Sequence, residues 1–304
     1  MPAPGTLLSL YTGHRERIAS LSWSPDSTEI ASASWDKTVQ IWEASSGRLL
    51  LTYEQHRGRV NSVAWSPDRT RIASASRDGT AHVWDARTGE TIITYRNHRS
   101  SVLSVAWSPD GQYLVTGSWD RTVQVWDAVT GATKGISGGH TEKITSVAWS
   151  PGGELIASGS DDCTIRIIHA LSGQLLLTCQ DHLGPVTTVV WSPDGRWIAS
   201  ASYDRTARVR DTASGRCLLT YSGHEWSVNA LAWSPTSRYV ASGGDDMQVH
   251  IWDVQTGQTL LIYRGHATSL WNFVESLAWS PDGTRIASGN DDWQAHVWTA
   301  PLLP

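Results

Sequence analysis

Histidine, serine and aspartate, the three side chains of a nucleophilic triad, recur along this 304-residue chain at a fixed spacing. The histidines follow one another every 42 residues, at His14, His56, His98, His140, His182, His224 and His266. Aspartates recur in step with them, at Asp36, Asp78, Asp120, Asp162, Asp204, Asp246 and Asp292. A triad hydrolase needs one such set beside an oxyanion site in a cleft, whereas this chain repeats the set along its length. One histidine per repeat cannot converge on a metal ion either. The sequence therefore predicts a protein that is not an enzyme and that uses no metal and no cofactor.

The composition limits the partners and the compartment to be expected. A net charge of −5 argues against a general nucleic-acid binder, because such proteins gain affinity by neutralising phosphates. Three widely spaced cysteines without a Cys-x-x-Cys pair indicate a reducing compartment. The sequence shows neither an apolar run of about 18 residues nor the pattern of a signal peptide. We therefore expect a cytoplasmic protein with no membrane partner and no general affinity for nucleic acid.

Tryptophan is the second periodic residue, with 18 Trp beside a single Phe. Most of them fall in two rows locked to the histidine period, one in a Ser-Val-Ala-Trp-Ser-Pro type segment and one six residues after the aspartate. Alternating and β-branched residues predict four short strands in each repeat, for example residues 60–65, 71–76, 81–84 and 91–95. Turn residues between the strands agree, as in the Ser-Pro-Asp-Gly segment at residues 108–111.

Two dipeptides recur with the same period, as in Gly223-His224 and Trp84-Asp85. A period of about 40 to 45 residues marked in this way resembles the WD40 repeat. The resemblance covers nearly the whole chain and implies an all-β, seven-bladed β-propeller with four antiparallel strands per blade. It implies a single domain over residues 1–304, with repeats that begin at the histidines named above. Near-uniform repeats of this kind resemble recently amplified bacterial WD-repeat modules, which leaves open a place within a longer multidomain chain.

The two ends of the chain predict how such a ring closes. Residues 6–11 align, one period earlier, with residues 48–53, the fourth strand of the first repeat. The seventh repeat reaches only its third strand, which contains Trp298. We therefore expect residues 6–11 to supply the outer strand of the seventh blade, which would pair an otherwise exposed strand edge.

The resemblance implies a structural role for the recurring polar residues. It implies that the loop histidine, a second-strand serine or threonine, the turn aspartate and the third-strand tryptophan form a hydrogen-bonded tetrad that pairs buried polar groups. The complete sets expected here are His14, Ser32, Asp36 and Trp42; His56, Ser74, Asp78 and Trp84; His98, Thr116, Asp120 and Trp126; His224, Ser242, Asp246 and Trp252; and His266, Ser288, Asp292 and Trp298. Ile168 and Arg210 replace the tryptophan in repeats four and five. We expect these two blades to be the less stable ones, and the sequence leaves open whether they mark a docking groove or drift.

Recognition is expected where the repeats differ, because scaffold positions repeat while site positions vary. By the resemblance, the usual protein-binding surface is the face that carries the fourth-to-first and second-to-third strand connections, together with the central opening. Exposed aromatic residues and arginine most often anchor interfaces. The candidates on this face are Arg17, Trp35, Arg57, Arg59, Arg77, Trp119, Tyr203, Trp226, Asp245, Trp271, Asp291 and Trp293.

The charges on this face are polarised, with arginines in repeats one to three and acids in repeats four to seven. The sequence predicts a monomeric, non-catalytic interaction scaffold that binds a protein or peptide of unnamed identity across the face. The acidic end of that partner would lie towards Arg57, Arg59 and Arg77. The alternative is a receptor for a small molecule or glycan that uses the Trp-rich central opening as a stacking surface.

Overall fold

The regular structure of this protein is entirely β-strand in the part that the computed structural model describes, residues 2–267 and 272–301. Its 28 strands form seven antiparallel sheets of four strands each, and the first strands of neighbouring sheets pack together around a ring. This confirms the seven-bladed propeller expected from the sequence. Within the same residues there is no helix of a length and hydropathy that would cross a bilayer.

The strands follow the repeats closely. The chain starts with β1 (Leu7–Tyr11). Blade 1 contains β2 (Ile18–Trp23), β3 (Glu29–Ser34), β4 (Val39–Glu43) and β5 (Leu49–Tyr53). Blade 2 contains β6 (Val60–Trp65), β7 (Arg71–Ser76), β8 (Ala81–Asp85) and β9 (Thr91–Tyr95). Blade 3 contains β10 (Val102–Trp107), β11 (Tyr113–Ser118), β12 (Val123–Asp127) and β13 (Thr133–Ser137). Blade 4 contains β14 (Ile144–Trp149), β15 (Leu155–Ser160), β16 (Ile165–His169) and β17 (Leu175–Cys179). Blade 5 contains β18 (Val186–Trp191), β19 (Trp197–Ser202), β20 (Ala207–Asp211) and β21 (Cys217–Tyr221). Blade 6 contains β22 (Val228–Trp233), β23 (Tyr239–Gly244), β24 (Val249–Asp253) and β25 (Thr259–Tyr263). Blade 7 contains β26 (Val274–Trp279), β27 (Arg285–Asn290) and β28 (Ala295–Thr299), together with β1.

Antiparallel pairing gives the ring two distinct faces. The first-to-second turn of every blade and the third-to-fourth turns of blades 1 to 6 lie on one face, which we call the lower face. The second-to-third turns and the connections to the next blade lie on the opposite, upper face. A lower-face turn shows why the recurring turn residues are suited to their place. Gly111 has φ 68°, in the left-handed region that glycine adopts without steric cost, and its N–H donates to the carbonyl of Ser108 at 2.9 Å.

The N-terminal strand closes the ring, as the sequence predicts. β1 pairs antiparallel with β28, and Tyr11 stands opposite Ala295. Just before the strand, the N–H of Gly5 donates to the carbonyl of Thr299 at 2.9 Å. The ring of Tyr11 is 3% exposed and stacks on Trp42 of blade 1 at 4.6 Å. β1 thus completes blade 7 and also packs against blade 1, so it joins the last blade to the first.

The hydrophobic core lies between the blades. At the junction of blades 1 and 2, for example, Trp65 packs in one cluster with Val39, Ile41 and Trp84. The tryptophans of the third-strand row are fully buried, and each stacks on a tyrosine of the preceding outer strand at 4.3 to 4.7 Å. Burying one such aromatic side chain stabilises a fold by roughly 1.5–3 kcal/mol. Neighbouring blades therefore depend on one another for their stability.

Hydroxyl groups on the first strands tie the blades together around the central channel. Ser276 accepts a hydrogen bond from the backbone N–H of Leu21 at 2.8 Å, and Ser146 accepts one from that of Val189 at 3.1 Å. The same contact is made by Ser20, Ser62 and Ser104. Blade 6 carries Ala230 at this position, which has no hydroxyl. These bonds hold the first strands, and with them the upper-face connections, at defined distances around the channel.

Candidate partner-binding site on the upper face

The recurring polar residues form hydrogen-bonded sets beneath the upper-face connections. In blade 2, His56 Nδ1 lies 3.1 Å from Asp78 and Nε2 lies 2.8 Å from Ser74 Oγ. A carboxylate can only accept hydrogen bonds, so Nδ1 carries the hydrogen and Nε2 accepts from the serine hydroxyl. The same serine accepts from the indole of Trp84 at 3.2 Å, and Asp78 also accepts from the backbone N–H of Arg57 at 2.9 Å. The structure brings the four expected side chains together in the same way in blades 1 and 6, with His14, Ser32, Asp36 and Trp42, and with His224, Ser242, Asp246 and Trp252.

In blade 3 three of the four expected residues are hydrogen-bonded to one another. His98 lies 2.9 Å from Asp120 and 2.8 Å from Thr116 Oγ1. Among the described residues, the indole N–H of Trp126 has no hydrogen-bond partner, which differs from the expected tetrad. Threonine is β-branched and restricted in χ1, which distinguishes Thr116 from the serine of the other blades. Its hydroxyl donates to the carbonyl of Gln124 at 3.4 Å, as that of Ser32 does to Gln40 at 3.3 Å in blade 1.

In blade 7 the partner of the histidine differs from the one expected. His266 Nδ1 lies 2.9 Å from the side-chain amide of Asn290 instead of Asp292. Asp292 accepts a hydrogen bond from Asn272 at 2.9 Å, while His266 Nε2 keeps its contact with Ser288 at 2.7 Å. The physical reason is local. Asn290 stands where blade 1 has Ser34, and its longer side chain reaches His266, while Asn272, which precedes β26, donates to Asp292. Asp292 is therefore not part of the set.

Blades 4 and 5 lack the stacked aromatic pair. Ile168 is a buried aliphatic residue in place of the tryptophan. Arg210 donates from Nη1 to Ser200 Oγ at 2.6 Å, and its Nη2 binds Asp181. Ser137 and Cys179 stand at the two junctions where the other five provide a stacking tyrosine. Arg210 is only 2% exposed, so it presents no guanidinium to a docking partner.

The upper end of the central channel opens into a cavity of about 220 Å³, which we call the mouth. Its walls include Arg17, Trp35, Arg77, Trp119, Lys143 and Glu275. Three guanidinium groups lie against the ring of Trp35, with the Cζ atoms of Arg17, Arg59 and Arg77 at 4.6, 4.2 and 4.8 Å from its centroid. Cation–π contacts of this kind hold arginine side chains in place. The indole of Trp119, in contrast, is 52% exposed.

Two cations of the mouth are neutralised within the protein. Arg17 forms ion pairs with Glu275 and Asp291 of blade 7. Lys143 pairs with Asp161 at 2.9 Å. The structure therefore brings Arg17 and Asp291, both predicted to face a partner, into contact with each other.

The positive charge beside blade 2 is compensated much less. Arg59 lies 3.9 Å from Glu16, at the limit of an ion pair. In the described part of the chain, Arg77 has no carboxylate within ion-pair distance. Burial, and after it the positive charge of Arg59, lowers the pKa of Arg77. An anionic group of a partner placed here would relieve this repulsion.

Two further depressions adjoin the mouth. One of about 420 Å³, between blades 2 and 3, shares Arg77 and Ser101 with the mouth. The other, of about 480 Å³ and between blades 3 and 4, shares Trp119 and Lys143 with it and also contains Glu142. We call the mouth and these two depressions together the upper-face path.

Two protein-family models match this chain. One, described as "WD domain, G-beta repeat", matches residues 5–43, 215–253 and 257–299. The other, described as "IFT122 first beta-propeller", matches residues 40–209, more than half of the chain. The chain belongs to the WD-repeat β-propeller family. This WD-repeat propeller is also 40% identical over 47 residues to a protein of Monosiga brevicollis named "Ribosome biogenesis protein BOP1 homolog". That similarity covers 16% of this chain and only 6% of the Monosiga protein.

The other candidate residues of the WD-repeat propeller lie apart from the path. Three exposed aromatic residues line none of its cavities: Tyr203, Trp226 and Trp293. The exposed side chain of Arg57 also lies outside them. Asp245 accepts a hydrogen bond from Asn229 at 2.8 Å. Trp271 lies outside the described residues.

Sequence reasoning overlooked several residues of the path. Arg96, Ser101 and Arg121 line its two depressions but were not selected from the sequence. They stand away from the positions just before the turn aspartates, where the repeats differ most obviously. A comparison of every loop position across the repeats would have found Arg96, because the blade 1 to blade 2 connection has Glu54 in its place.

One group of side chains in this propeller has the composition of a metal site. His224, Asp246 and His250 have ligand atoms within 4.8 Å of one another. The two imidazoles stack at 4.0 Å, and His224 is hydrogen-bonded through Nδ1 to Asp246 and through Nε2 to Ser242. His250 Nδ1 lies 2.8 Å from the hydroxyl of Tyr221. Since these ring nitrogens are already engaged, the group fits a structural network rather than a cation.

Proposed function

We propose that this WD-repeat propeller is a non-catalytic docking module that binds an extended segment of a protein partner across the upper-face path. WD-repeat propellers are commonly protein-interaction scaffolds. The observation that carries the proposal is that the three cavities adjoin one another, since they share the lining residues Arg77 and Ser101 on one side and Trp119 and Lys143 on the other. A row of adjoining cavities over three adjacent blades suits a peptide in an extended conformation.

The charges along the path support one orientation of the bound segment. The end between blades 2 and 3 carries uncompensated arginine, including Arg77. The end between blades 3 and 4 is balanced in charge, because Arg121 and Lys143 line it together with Glu142 and Asp161, and Lys143 pairs with Asp161. A segment with its acidic end over blade 2 is therefore favoured, because complementary charges set the register of an interface.

Trp119 is the anchor of the proposed interface. Its indole is half exposed and lies where the mouth and the second depression meet. The amino group of Lys143 lies 5.4 Å from the centroid of its ring. Large aromatic side chains at the centre of an interface contribute most of its binding energy.

The alternative, a small-molecule or glycan receptor at the central opening, has less support. Stacking on a sugar requires an open aromatic face. The ring of Trp35 already carries three guanidinium groups, which leaves Trp119 as the exposed indole of the mouth. The proposal further places a single propeller in a reducing compartment such as the cytoplasm, in keeping with its free cysteines Cys163, Cys179 and Cys217.

The test selects peptides from a random displayed library on the purified chain and measures their affinity by fluorescence anisotropy. The decisive pair of variants is Trp119→Ala and Trp226→Ala. Trp226 is a matched control, because its indole is 57% exposed against 52% for Trp119 and it lines none of the path. We expect Trp119→Ala to weaken binding by about tenfold or more and Trp226→Ala to change it by less than about twofold. Equal effects of the two variants, or a library that yields no binder, would overturn the proposal.

A further inference from the structure

The depression between blades 2 and 3 carries a concentration of positive charge, and we call it the basic groove. It lies between the second-to-third turn of blade 2 and the connection from blade 2 to blade 3. Arg77, Arg96 and Arg99 line it. Its volume of about 420 Å³ accommodates one large side chain with its head group.

The carboxylate of Asp78, which lines the basic groove, is already hydrogen-bonded within the protein. Asp78 lies 3.1 Å from His56 Nδ1 and accepts from the hydroxyl of Thr80 at 2.5 Å. Burial acts to raise the pKa of Asp78, but these hydrogen bonds outweigh it and hold the pKa below its usual range. Arg96 and Arg99 are exposed, and in the described residues neither has a carboxylate within ion-pair distance. The groove therefore keeps a net positive charge.

This combination of arginines occurs at one junction of the ring. The residues equivalent to Arg96 at the other junctions are Thr12, Glu54, Gly138, Gln180, Ser222 and Arg264. The residues equivalent to Arg99 are Arg15, Arg57, Thr141, Leu183, Glu225 and Ala267. Because the propeller scaffold does not need arginine at these positions, the cluster is a property of this surface rather than of the fold.

We infer that the basic groove binds the phosphoryl group of a phosphorylated serine or threonine in the docked segment. The inference rests on the proposed function, since it names the chemistry of the acidic end of that segment. A phosphoryl group carries about −1.5 to −2 charge and three acceptor oxygens. One guanidinium group can donate two parallel hydrogen bonds to two such oxygens. A single carboxylate would leave more of the charge of the three arginines uncompensated.

The position of the groove favours a peptide over a nucleic acid. Arg77 and Ser101 line both the basic groove and the mouth, so a segment held by its phosphoryl group continues towards Trp119. Nucleic-acid binding requires repeated contacts to successive phosphates along a basic track. Here the basic track ends at the mouth, because Glu142 and Asp161 balance the charges of Arg121 and Lys143 in the depression beyond it.

The experiment measures binding of three peptide pools to the full chain. The pools share random flanks around one fixed central residue, which is phosphoserine, serine or glutamate, and a 20-nucleotide single-stranded RNA is measured beside them. The variant Arg96→Gln with Arg99→Gln removes two exposed charges of the groove. Its matched control is Arg15→Gln with Arg264→Gln, which removes two exposed arginines from the same repeat positions at other junctions. Thermal unfolding checks that both double variants are folded.

We expect the phosphoserine pool to bind about tenfold or more tightly than the serine pool, with glutamate between them. The Arg96/Arg99 variant should lose this difference and the Arg15/Arg264 variant should keep it. Equal binding of the phosphoserine and serine pools overturns the inference, as does a difference that survives in the Arg96/Arg99 variant. RNA binding that depends on these arginines without phosphopeptide binding would assign the groove to nucleic acid and also overturn it.

The outcomes separate this inference from the proposed function. Serine-pool binding that depends on Trp119 but gains nothing from phosphorylation would leave the docking path standing and remove the phosphoryl site. Phosphoserine binding that depends on Arg96 and Arg99 but not on Trp119 would support the groove and contradict the path.

Discussion

Arg210 donates a hydrogen bond from Nη1 to the hydroxyl of Ser200 at 2.6 Å, at the place where an indole makes this bond in blades 1, 2, 6 and 7. The guanidinium needs a counter-charge, and Asp181 supplies it. The indole elsewhere stacks on a tyrosine, and at this junction that tyrosine is replaced by Cys179. Hydrogen bonding, charge and packing have therefore changed together in blade 5.

We expect Arg210→Ala to destabilise the propeller by about 3 kcal/mol, because it empties a buried site and leaves Ser200 without its donor. The double variant Cys179→Tyr with Arg210→Trp should recover at least the wild-type free energy of unfolding, since it restores the stacked pair and removes a buried charge. Urea denaturation of the three proteins measures both effects. A double variant no more stable than Arg210→Ala would show that the junction cannot accept the aromatic pair.

Removing the closing strand should open the ring. A chain that starts at residue 13 lacks β1, exposes the edge of β28 and loses the stack of Tyr11 on Trp42. We expect a loss of at least about 3 kcal/mol, with aggregation, since burial of the tyrosine alone is worth roughly 1.5–3 kcal/mol. Leu8→Ser serves as the control, because Leu8 lies in the same strand and is 40% exposed.

The same truncated chain permits a rescue experiment. A synthetic peptide of residues 5–13 should pair with β28 and raise the melting temperature roughly with the logarithm of its concentration, because it binds the folded state alone. An unchanged melting temperature on truncation, or a peptide without effect on a destabilised truncated chain, would contradict the closing role of β1.

Stacked imidazole pairs make stability depend on pH. His56 and His82 stack at 3.9 Å, and His224 and His250 at 4.0 Å. Burial, and after it the charge of the neighbouring histidine, lowers the pKa of His82 to about 3 and that of His250 to about 4. In the unfolded chain these groups titrate near 6.5, so between pH 6.5 and about 4 the unfolded state binds more protons. Stability should fall as the pH decreases through this window, by up to about 1.4 kcal/mol per pH unit for each such histidine.

His250→Gln isolates one of these contributions. Glutamine already stands at the equivalent position in blade 3, where Gln124 accepts a hydrogen bond from Tyr95 at 2.7 Å. The variant should keep the hydrogen bond of Tyr221 while it flattens the dependence of the urea midpoint on pH between 7.5 and 5.0. Gln124→His should make that dependence steeper. If both variants follow the wild-type pH profile, the stacked pairs are not its origin.

Ala230→Ser should stabilise the junction of blades 6 and 7. Serine at this position accepts a hydrogen bond from the first strand of the following blade, as Ser276 does from Leu21. By equivalence the donor for a serine at position 230 is the backbone N–H of Leu277. We expect a gain of about 0.5–1.5 kcal/mol in the free energy of unfolding. Ala230→Cys is the control, because its side chain has a similar size but its sulfur is a weak acceptor, and an equal gain from both variants would mean that the channel hydroxyl is not the cause.

The sequence predicted much of the candidate site but not all of it. Trp35, Arg77 and Trp119 were selected because they break the repeat just before the turn aspartates, and they line one mouth. Arg17 was selected as well, but it turns to Glu275, more than 250 residues away along the chain. The choice between a partner and an internal carboxylate depends on which acid a neighbouring blade presents, and no local pattern contains that information.

The repeat itself explains why the fold was accessible before the structure. Strand alternation, turn residues and the 42-residue period are short-range features, and one missing strand at the end of the seventh repeat requires residues 6–11 to replace it. Contacts between loops of different blades have another origin. The approach of Arg59 to Trp35, and the meeting of the basic groove with the mouth at Arg77, depend on lateral distances that exist only once the ring has closed. Local propensity therefore specifies the blades, whereas packing between blades determines which side chains meet on the upper face.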